Sequence, residues 1–205
     1  AEQYAGILTR FADRVKDQAK VYNIVVPCSG EFYLPEKYQS LSNSQKENIQ
    51  YLYSQLGESV TGVDAYSWIA SNTDKYLYFR TDHHWTGLGA YYAYVAFCRA
   101  AGLEEINIAQ VEKRTKEGTV YNATRDPRLE QNPDQVDYWI TAPNATAQLY
   151  LKGQSVPLEV YPWSESSAGG NSYGVFICAD NPLFAVHNPD LQNGRKALVL
   201  KESYG

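Results

Sequence analysis

Two of the three histidines of this chain stand side by side in the run Asp82-His83-His84-Trp85. Asp82 and His84 are two positions apart, so in an extended segment their side chains point to one face while that of His83 points to the other. A carboxylate beside an imidazole is typical of general-base catalysis, because the carboxylate selects the ring tautomer and stabilises the imidazolium. The spacing therefore predicts a base, His84, that is oriented by Asp82.

A nucleophile for this base must come from a distant part of the chain. Ser203 follows the apolar run 196–200 and lies in a short acidic-serine-tyrosine-glycine turn. Nucleophilic serines of α/β hydrolases occupy such turns at strand ends. We therefore predict a triad of Ser203, His84 and Asp82. The backbone N–H of Tyr204 is a candidate oxyanion donor.

Three alternatives compete with this triad. Asp82 and His84 can serve a structural role, capping the helix that follows them. A metal site at Asp82, His83 and His84 is disfavoured, because adjacent histidines diverge and no Cys or His stands nearby as a fourth ligand. Ser29 is a second candidate nucleophile, but its Cys-Ser-Gly context is that of a turn, in which serine is common. We predict no metal site.

Helices and strands must alternate to position the motif. Apolar periodicity predicts helices over 2–20, 42–56, 65–70 and 87–101, with Ser42 or Ser44 as the cap of the second. β-Branched and aromatic runs predict strands at 21–26, 59–63 and 76–79, and residues 31–38 are predicted as a loop. This alternation predicts an α/β fold with a parallel sheet covered by helices.

The region 105–195 follows a different pattern. Short strand candidates at 118–121, 136–140, 148–151, 158–161 and 175–177 are separated by Asn-Pro, Asp-Pro and Gly-Gly turns. We predict one domain over 1–205 with an irregular or β insertion at about 105–195. A last strand at 196–200 has no covering element after it, so we expect a C-terminal part to be missing and the fragment to self-associate through exposed apolar surface.

Composition excludes several classes of function. With 205 residues, a formal net charge of -5 and no basic run, the chain is a poor candidate for nucleic-acid binding. No apolar stretch approaches the roughly 20 residues that span a bilayer. Cys28, Cys98 and Cys178 are odd in number and widely spaced, which excludes a disulfide framework. We predict that each is a small buried residue.

The sequence Tyr-Phe-Arg-Thr-Asp-His-His-Trp-Thr over 78–86, with Gly-Ala-Tyr-Tyr-Ala-Tyr over 89–94, resembles the bacterial DHHW-motif proteins. These look like the SGNH-hydrolase-like, AlgX/AlgJ-type acetyltransferase domains, which carry Asp-x-His before the serine. The order Asp82, His84, Ser203 agrees with that pattern. Val-Val-Pro at 25–27 and Tyr-Leu-Pro-Glu at 33–36 also resemble the family. Glu202 is a departure, because the family usually has Asp before the serine.

The resemblance implies an SGNH-like domain that transfers or hydrolyses an O-acyl group, expected to be acetyl, on a cell-surface or exported glycan. It implies an extracytoplasmic location, no cofactor, and an acyl donor delivered by a membrane-bound protein. Arg80, Trp85 and Tyr204 are the candidate substrate-binding residues. The alternative is a non-catalytic glycan-binding or assembly module of the cell envelope, for which the 18 tyrosines and 4 tryptophans would supply stacking surfaces.

Overall fold

The computed structural model describes residues 1–119, 127–161, 176 and 181–204, with 117–119 described by their backbone. The chain divides into two compact units. The first comprises Ala1–Tyr78 and Leu88–Glu105, and the second comprises Phe79–Gly87 and Ile106–Gly205. Among the described helices, none combines the length and the apolar character that crossing a bilayer requires. The prediction of a single domain with an insertion stays a prediction.

The first unit contains a parallel strand pair. Strand β1 (Val21–Ile24) pairs with β2 (Val60–Val63), and Val21 lies opposite Val60. Parallel strands need a long crossover connection, and here it contains helices. The α-helices of the described residues are α1 (Glu2–Val15), α2 (Gly30–Tyr33), α3 (Glu36–Gln39), α4 (Gln45–Ser54), α5 (Ala65–Ala70) and α6 (Gly87–Ala101).

Local signals explain where these helices begin. The Ser44 hydroxyl accepts a hydrogen bond from the Glu47 N–H at 3.2 Å, so Ser44 caps α4 as predicted. Asp64 caps α5 in the same way through the Ser67 N–H. The prediction of a loop over 31–38 was wrong, because two single-turn helices, α2 and α3, form there. Pro35 stands at the N-cap of α3, where its missing N–H costs nothing.

Polar side chains tie the first unit together. The Tyr53 hydroxyl donates to the Val63 carbonyl at 2.9 Å and accepts the Val25 N–H at 3.0 Å. It therefore joins the ends of β1 and β2. Burial raises the pKa of Tyr53, whereas these two hydrogen bonds lower it. The effect of burial is larger, so the pKa is raised above its ordinary value. The core of this unit includes Ile69 and Leu77, both fully buried.

The second unit is antiparallel. Strand β3 (Lys113–Thr119) pairs with β4 (Asp134–Trp139), and β5 (Thr146–Leu151) lies between β6 (Gln154–Leu158) and β7 (Phe184–His187). The connection between β5 and β6 is a two-residue turn with positive φ at Lys152 and Gly153, 51° and 80°. Such turns match the twist of the strands they join.

The mixed α/β class is confirmed, and several boundaries are corrected. The strand predicted at 158–161 instead ends at Leu158, and β7 was not predicted. His187 is exposed, but it lies in a strand. Residues 76–79 form no regular strand. The candidates at 118–121 and 175–177 lie largely outside the described residues.

The predicted strand at 196–200 was wrong. Within the described part of the chain these residues pair with no strand, and the side chains of Leu198, Val199 and Leu200 are more than 70% exposed. Strand structure needs backbone hydrogen bonds to a neighbouring strand, which an apolar run cannot supply by itself.

The cysteine prediction holds for one residue. Cys98 is buried at 1% exposure, as predicted. Cys28 is exposed, which corrects the prediction: it follows β1 in a turn, and its sulfur accepts a hydrogen bond from the Gln45 side chain. Cys178 lies outside the described residues.

Candidate active site

The Asp-His-His motif lies in a short loop of the second unit. The Phe79 N–H donates to the His84 carbonyl at 3.1 Å, which closes the loop. Asp82 Oδ1 accepts the backbone N–H of His84 at 3.0 Å, two residues ahead, as in an Asx turn. Asp82 and His84 therefore meet through a local turn and not through the alternation of an extended segment that the spacing predicts.

Asp82 and His84 of this loop form a hydrogen-bonded series with the hydroxyl of Ser203. His84 Nδ1 lies 2.6 Å from Asp82 Oδ1, and His84 Nε2 lies 2.9 Å from Ser203 Oγ. An ionised carboxylate only accepts hydrogen bonds, so the ring proton belongs on Nδ1. Nε2 is then the acceptor for the Ser203 hydroxyl. The side chains of Asp82 and His84 are only 4% and 7% exposed, so water competes little for these contacts.

His83 lies beside this pair. Its side chain is 64% exposed, but its Nδ1 lies 3.3 Å from Asp82 Oδ1 and its ring centre lies 3.9 Å from that of His84. The prediction that His83 points elsewhere is therefore only half right. The ring faces solvent while remaining in contact with the pair.

Tyr204 holds Ser203 against the loop. Its hydroxyl donates to the His83 carbonyl, and its ring centre lies 5.0 Å from that of His84 and 5.8 Å from that of Trp85. These contacts bring a serine 119 positions away in sequence to the imidazole. Tyr204 is thus a structural neighbour of the triad, and its predicted role in binding substrate stays a prediction.

The Glu202 side chain binds the Tyr204 N–H, the proposed oxyanion donor. Its Oε1 accepts the Tyr204 N–H at 2.8 Å, and its Oε2 lies 3.3 Å from Ser203 Oγ. The Tyr204 N–H can donate to a substrate oxygen only after the Glu202 side chain rotates away. The departure from the family at Glu202 is visible in the sequence, but the contact of its carboxylate with the Tyr204 N–H is not.

Asp134, in β4, binds the other end of the loop and was missed by the sequence analysis. Its Oδ1 accepts the Arg80 N–H at 2.7 Å, and its Oδ2 accepts the Thr81 N–H at 2.9 Å together with the Thr81 hydroxyl. Asp134 shares the buried face of β4 with Val136 and Tyr138. An acid in the inward register of a strand was the signal that could have revealed it.

The other two predicted substrate contacts are already engaged. The Trp85 ring is buried at 7% exposure and faces Tyr204. The Arg80 guanidinium donates to the backbone carbonyls of Asn132 and Pro133. Roles for Arg80 and Trp85 in binding substrate stay predictions.

Gly87 allows β4 to approach the end of the loop. A Cβ atom at this first residue of α6 would lie 2.7 Å from the Asp137 carbonyl oxygen, closer than real Cβ atoms come. Only glycine fits there without displacing the β4 backbone.

Comparisons with known proteins identify the family of the chain. The family model described as DHHW protein matches residues 1–205. The chain belongs to the DHHW family. A DHHW family protein from Eubacterium siraeum is 31% identical to it over 95% of this chain and 66% of that chain, with a TM-score of 0.83. The chain therefore spans just under two thirds of that relative. No curated protein matches the sequence at a significant level.

Bacillus cereus PatB1 shares the fold at lower identity. It is 20% identical over 99% of this chain and 73% of that chain, with a TM-score of 0.77. A second PatB1 structure, with a sulfonyl adduct, matches over 99% and 72% with a TM-score of 0.79. The predicted DHHW family and the α/β fold class are confirmed.

The same loop contains a candidate group of metal ligands. Ligand atoms of Asp82, His83 and His84 lie within 4.8 Å of one another. However, Asp82 Oδ1 and His84 Nδ1 are 2.6 Å apart. Two ligands about 2.0–2.1 Å from one tetrahedral zinc are separated by roughly 3.3 Å. The shorter distance in this DHHW protein is that of a charge-assisted hydrogen bond. The predicted absence of a metal stays a prediction.

Ser29, the competing nucleophile, belongs to the first unit. It stands at the N-cap of α2, where its backbone carbonyl accepts hydrogen bonds from the Phe32 and Tyr33 N–H groups. Its structural role as a turn residue accounts for these contacts.

Proposed function

We propose that the chain transfers or hydrolyses an O-acetyl group on a cell-surface or exported glycan, with Ser203 as nucleophile. One observation carries this proposal: the hydrogen-bonded series from Asp82 through His84 to Ser203, with distances of 2.6 and 2.9 Å. The 2.9 Å distance from His84 Nε2 to Ser203 Oγ is within the range in which a base removes a proton from a nucleophile, and the 2.6 Å distance from His84 Nδ1 to Asp82 Oδ1 is that of a hydrogen bond that orients the base.

The chemistry follows from the tautomer. As Ser203 Oγ attacks the acyl carbonyl carbon, its proton passes to His84 Nε2 and the carbonyl electrons move to the oxygen. Asp82 stabilises the resulting imidazolium. Collapse of the tetrahedral intermediate expels the leaving alcohol, which takes the proton from Nε2 and leaves an acyl group on Ser203. Water then completes hydrolysis, or a sugar hydroxyl completes transfer, by the same steps in reverse.

A sulfonyl electrophile tests the nucleophile directly. Phenylmethylsulfonyl fluoride reacts with an activated serine when Oγ bonds to sulfur and fluoride leaves, and the proposal predicts such a reaction at Ser203. A sulfonyl adduct of Bacillus cereus PatB1 is known, which supports the choice of reagent. Mass spectrometry of the digested protein should find the label on Ser203. Label found elsewhere, or equal labelling of Ser203→Ala, would refute the assignment.

Ester cleavage tests the base. With p-nitrophenyl acetate, we expect slow hydrolysis that falls by about 10²-fold or more in His84→Ala, since a general base contributes that much. Transfer is tested by adding an oligosaccharide acceptor and measuring its acetylation by mass spectrometry. Acetylated acceptor favours the transferase, and hydrolysis alone favours the esterase.

We propose an extracytoplasmic location and an acyl donor delivered by a membrane-bound protein; fractionation of cells that express the full-length protein tests the former. The competing function is a non-catalytic glycan-binding or assembly module. It predicts oligosaccharide binding that is unchanged in Ser203→Ala, together with no sulfonyl labelling.

A further inference from the structure

The loop that carries Asp82 and His84 is held by a carboxylate that the proposed chemistry does not use. Asp134 is 3% exposed, and both of its oxygens accept hydrogen bonds from the two residues that precede Asp82. Oδ1 binds the Arg80 N–H, while Oδ2 binds the Thr81 N–H and hydroxyl. A buried carboxylate with this many donors is fixed in place, and so are the peptide groups that it binds.

Asp134 binds the backbone of the loop at Arg80 rather than the charged guanidinium of Arg80. The Arg80 Nε lies 3.8 Å from Asp134 Oδ1, beyond hydrogen-bond distance, whereas the Arg80 backbone nitrogen lies at 2.7 Å. The guanidinium donates instead to the carbonyls of Asn132 and Pro133. If Asp134 served only as the ion-pair partner of the guanidinium, its carboxylate would lie closer to Arg80 Nε than to the Arg80 backbone nitrogen.

We propose that Asp134 is a positioning residue for the triad. By fixing the Arg80 and Thr81 peptides, it places Asp82 where its Oδ1 meets His84 Nδ1. Catalytic groups must be held to within about 0.5 Å of their productive geometry, and supporting hydrogen bonds do this. The effect on catalysis rests on the proposed function, whereas the effect on the Asp82–His84 hydrogen bond does not.

A matched pair of variants tests the proposal. Asp134→Asn keeps the shape of the side chain but turns N–H groups toward the loop donors. Asp137→Asn changes another acid of β4, whose carboxylate binds Lys113, Thr115 and Gln135 rather than the loop. Both variants are first checked for folding by thermal unfolding.

The first readout is the ring proton of His84. An imidazole N–H that donates to a carboxylate gives a proton resonance far downfield, assigned here by its loss in His84→Ala and its persistence in His83→Ala. We expect Asp134→Asn to lose or shift this resonance and Asp137→Asn to retain it. An unchanged resonance in folded Asp134→Asn would overturn the proposal.

The second readout is kinetic. Small displacements of catalytic groups can cost about 10²-fold in rate, so we expect a fall of that order in kcat for Asp134→Asn, with KM nearly unchanged. Equal falls in both variants would indicate a general structural role and overturn the proposal. If wild type is inactive but the resonance depends on Asp134, the positioning role stands and the proposed function fails.

Substitutions of Thr81 test the same proposal if the Asp134→Asn variant does not fold. Thr81→Val removes the hydrogen bond from the Thr81 hydroxyl to Asp134 Oδ2, and Thr81→Ser keeps the hydroxyl. We expect a partial shift of the His84 resonance and a smaller loss of kcat in Thr81→Val, with Thr81→Ser close to wild type. Identical behaviour of a folded Thr81→Val and wild type in both readouts would count against the proposal.

Discussion

Replacing Tyr204 by phenylalanine should weaken the docking of Ser203 on His84. The phenol hydroxyl donates to the His83 carbonyl, and this hydrogen bond joins the Ser203 turn to the backbone of the motif loop. Phenylalanine keeps the ring contacts with His84 and Trp85, whereas alanine removes them as well. The two variants therefore separate the hydrogen bond from the ring packing.

The contacts set the size of the effect. Loss of one neutral hydrogen bond costs about 1 kcal/mol, or about a fivefold smaller docking constant. The ring contacts are worth about a further 1 kcal/mol, so Tyr204→Ala should reduce the constant roughly 30-fold. The reaction rate of Ser203 follows its docked fraction, so these factors are the upper limits of the fall in rate.

The assay is the second-order rate of labelling of Ser203 by phenylmethylsulfonyl fluoride. We expect the order wild type, Tyr204→Phe, Tyr204→Ala from fastest to slowest. Tyr161→Phe is the matched control, because the Tyr161 hydroxyl accepts the Ala142 N–H in the same unit without touching the motif. If Tyr204→Ala labels Ser203 as fast as wild type, Tyr204 does not hold the serine and the reasoning fails.

Three further predictions concern neighbours of the site. Glu202→Ala should raise the hydrolysis rate of p-nitrophenyl acetate several-fold, because it frees the Tyr204 N–H from a hydrogen bond to a charged group worth about 1.5–3 kcal/mol; a lower rate would show that Glu202 assists the reaction. Burial opposes ionisation of Asp137, but its hydrogen bonds, including that from Lys113, outweigh burial and lower its pKa. Its ionised form therefore stabilises the fold above about pH 4, the ordinary value of Asp, and this contribution is lost as the pH falls through the lowered value. Asp137→Asn should thus cost up to about 1 kcal/mol in urea unfolding at pH 7, a small amount because the pair is partly exposed, and the cost should shrink toward pH 2. Gly87→Ala should destabilise the protein by about 1–3 kcal/mol in thermal unfolding, since its Cβ meets the Asp137 carbonyl; an unchanged midpoint would show that β4 can move away.

Sequence alone determined the features that depend on near neighbours. Helical periodicity and the Ser44 cap predicted α4, because a cap acts over three residues. The pairing of Asp82 with His84 was also predictable, since a side chain two positions from its partner can reach it in most turns. Even here the physical reason differed, because an Asx turn rather than an extended segment brings the two together.

Tertiary structure decided what depends on distant partners. Asp134 lies 54 positions from Arg80, and its carboxylate meets the loop only in the folded chain. The run 196–200 is apolar enough for a strand, yet strand formation depends on a neighbour that the local sequence cannot specify. The order of Asp82, His84 and Ser203 came from a family resemblance, but the distance between His84 and Ser203 came from the fold. The geometry of a local interaction follows from the few backbone angles between its partners. A contact across more than 50 residues forms only when folding offsets the conformational entropy that is lost in bringing its partners together.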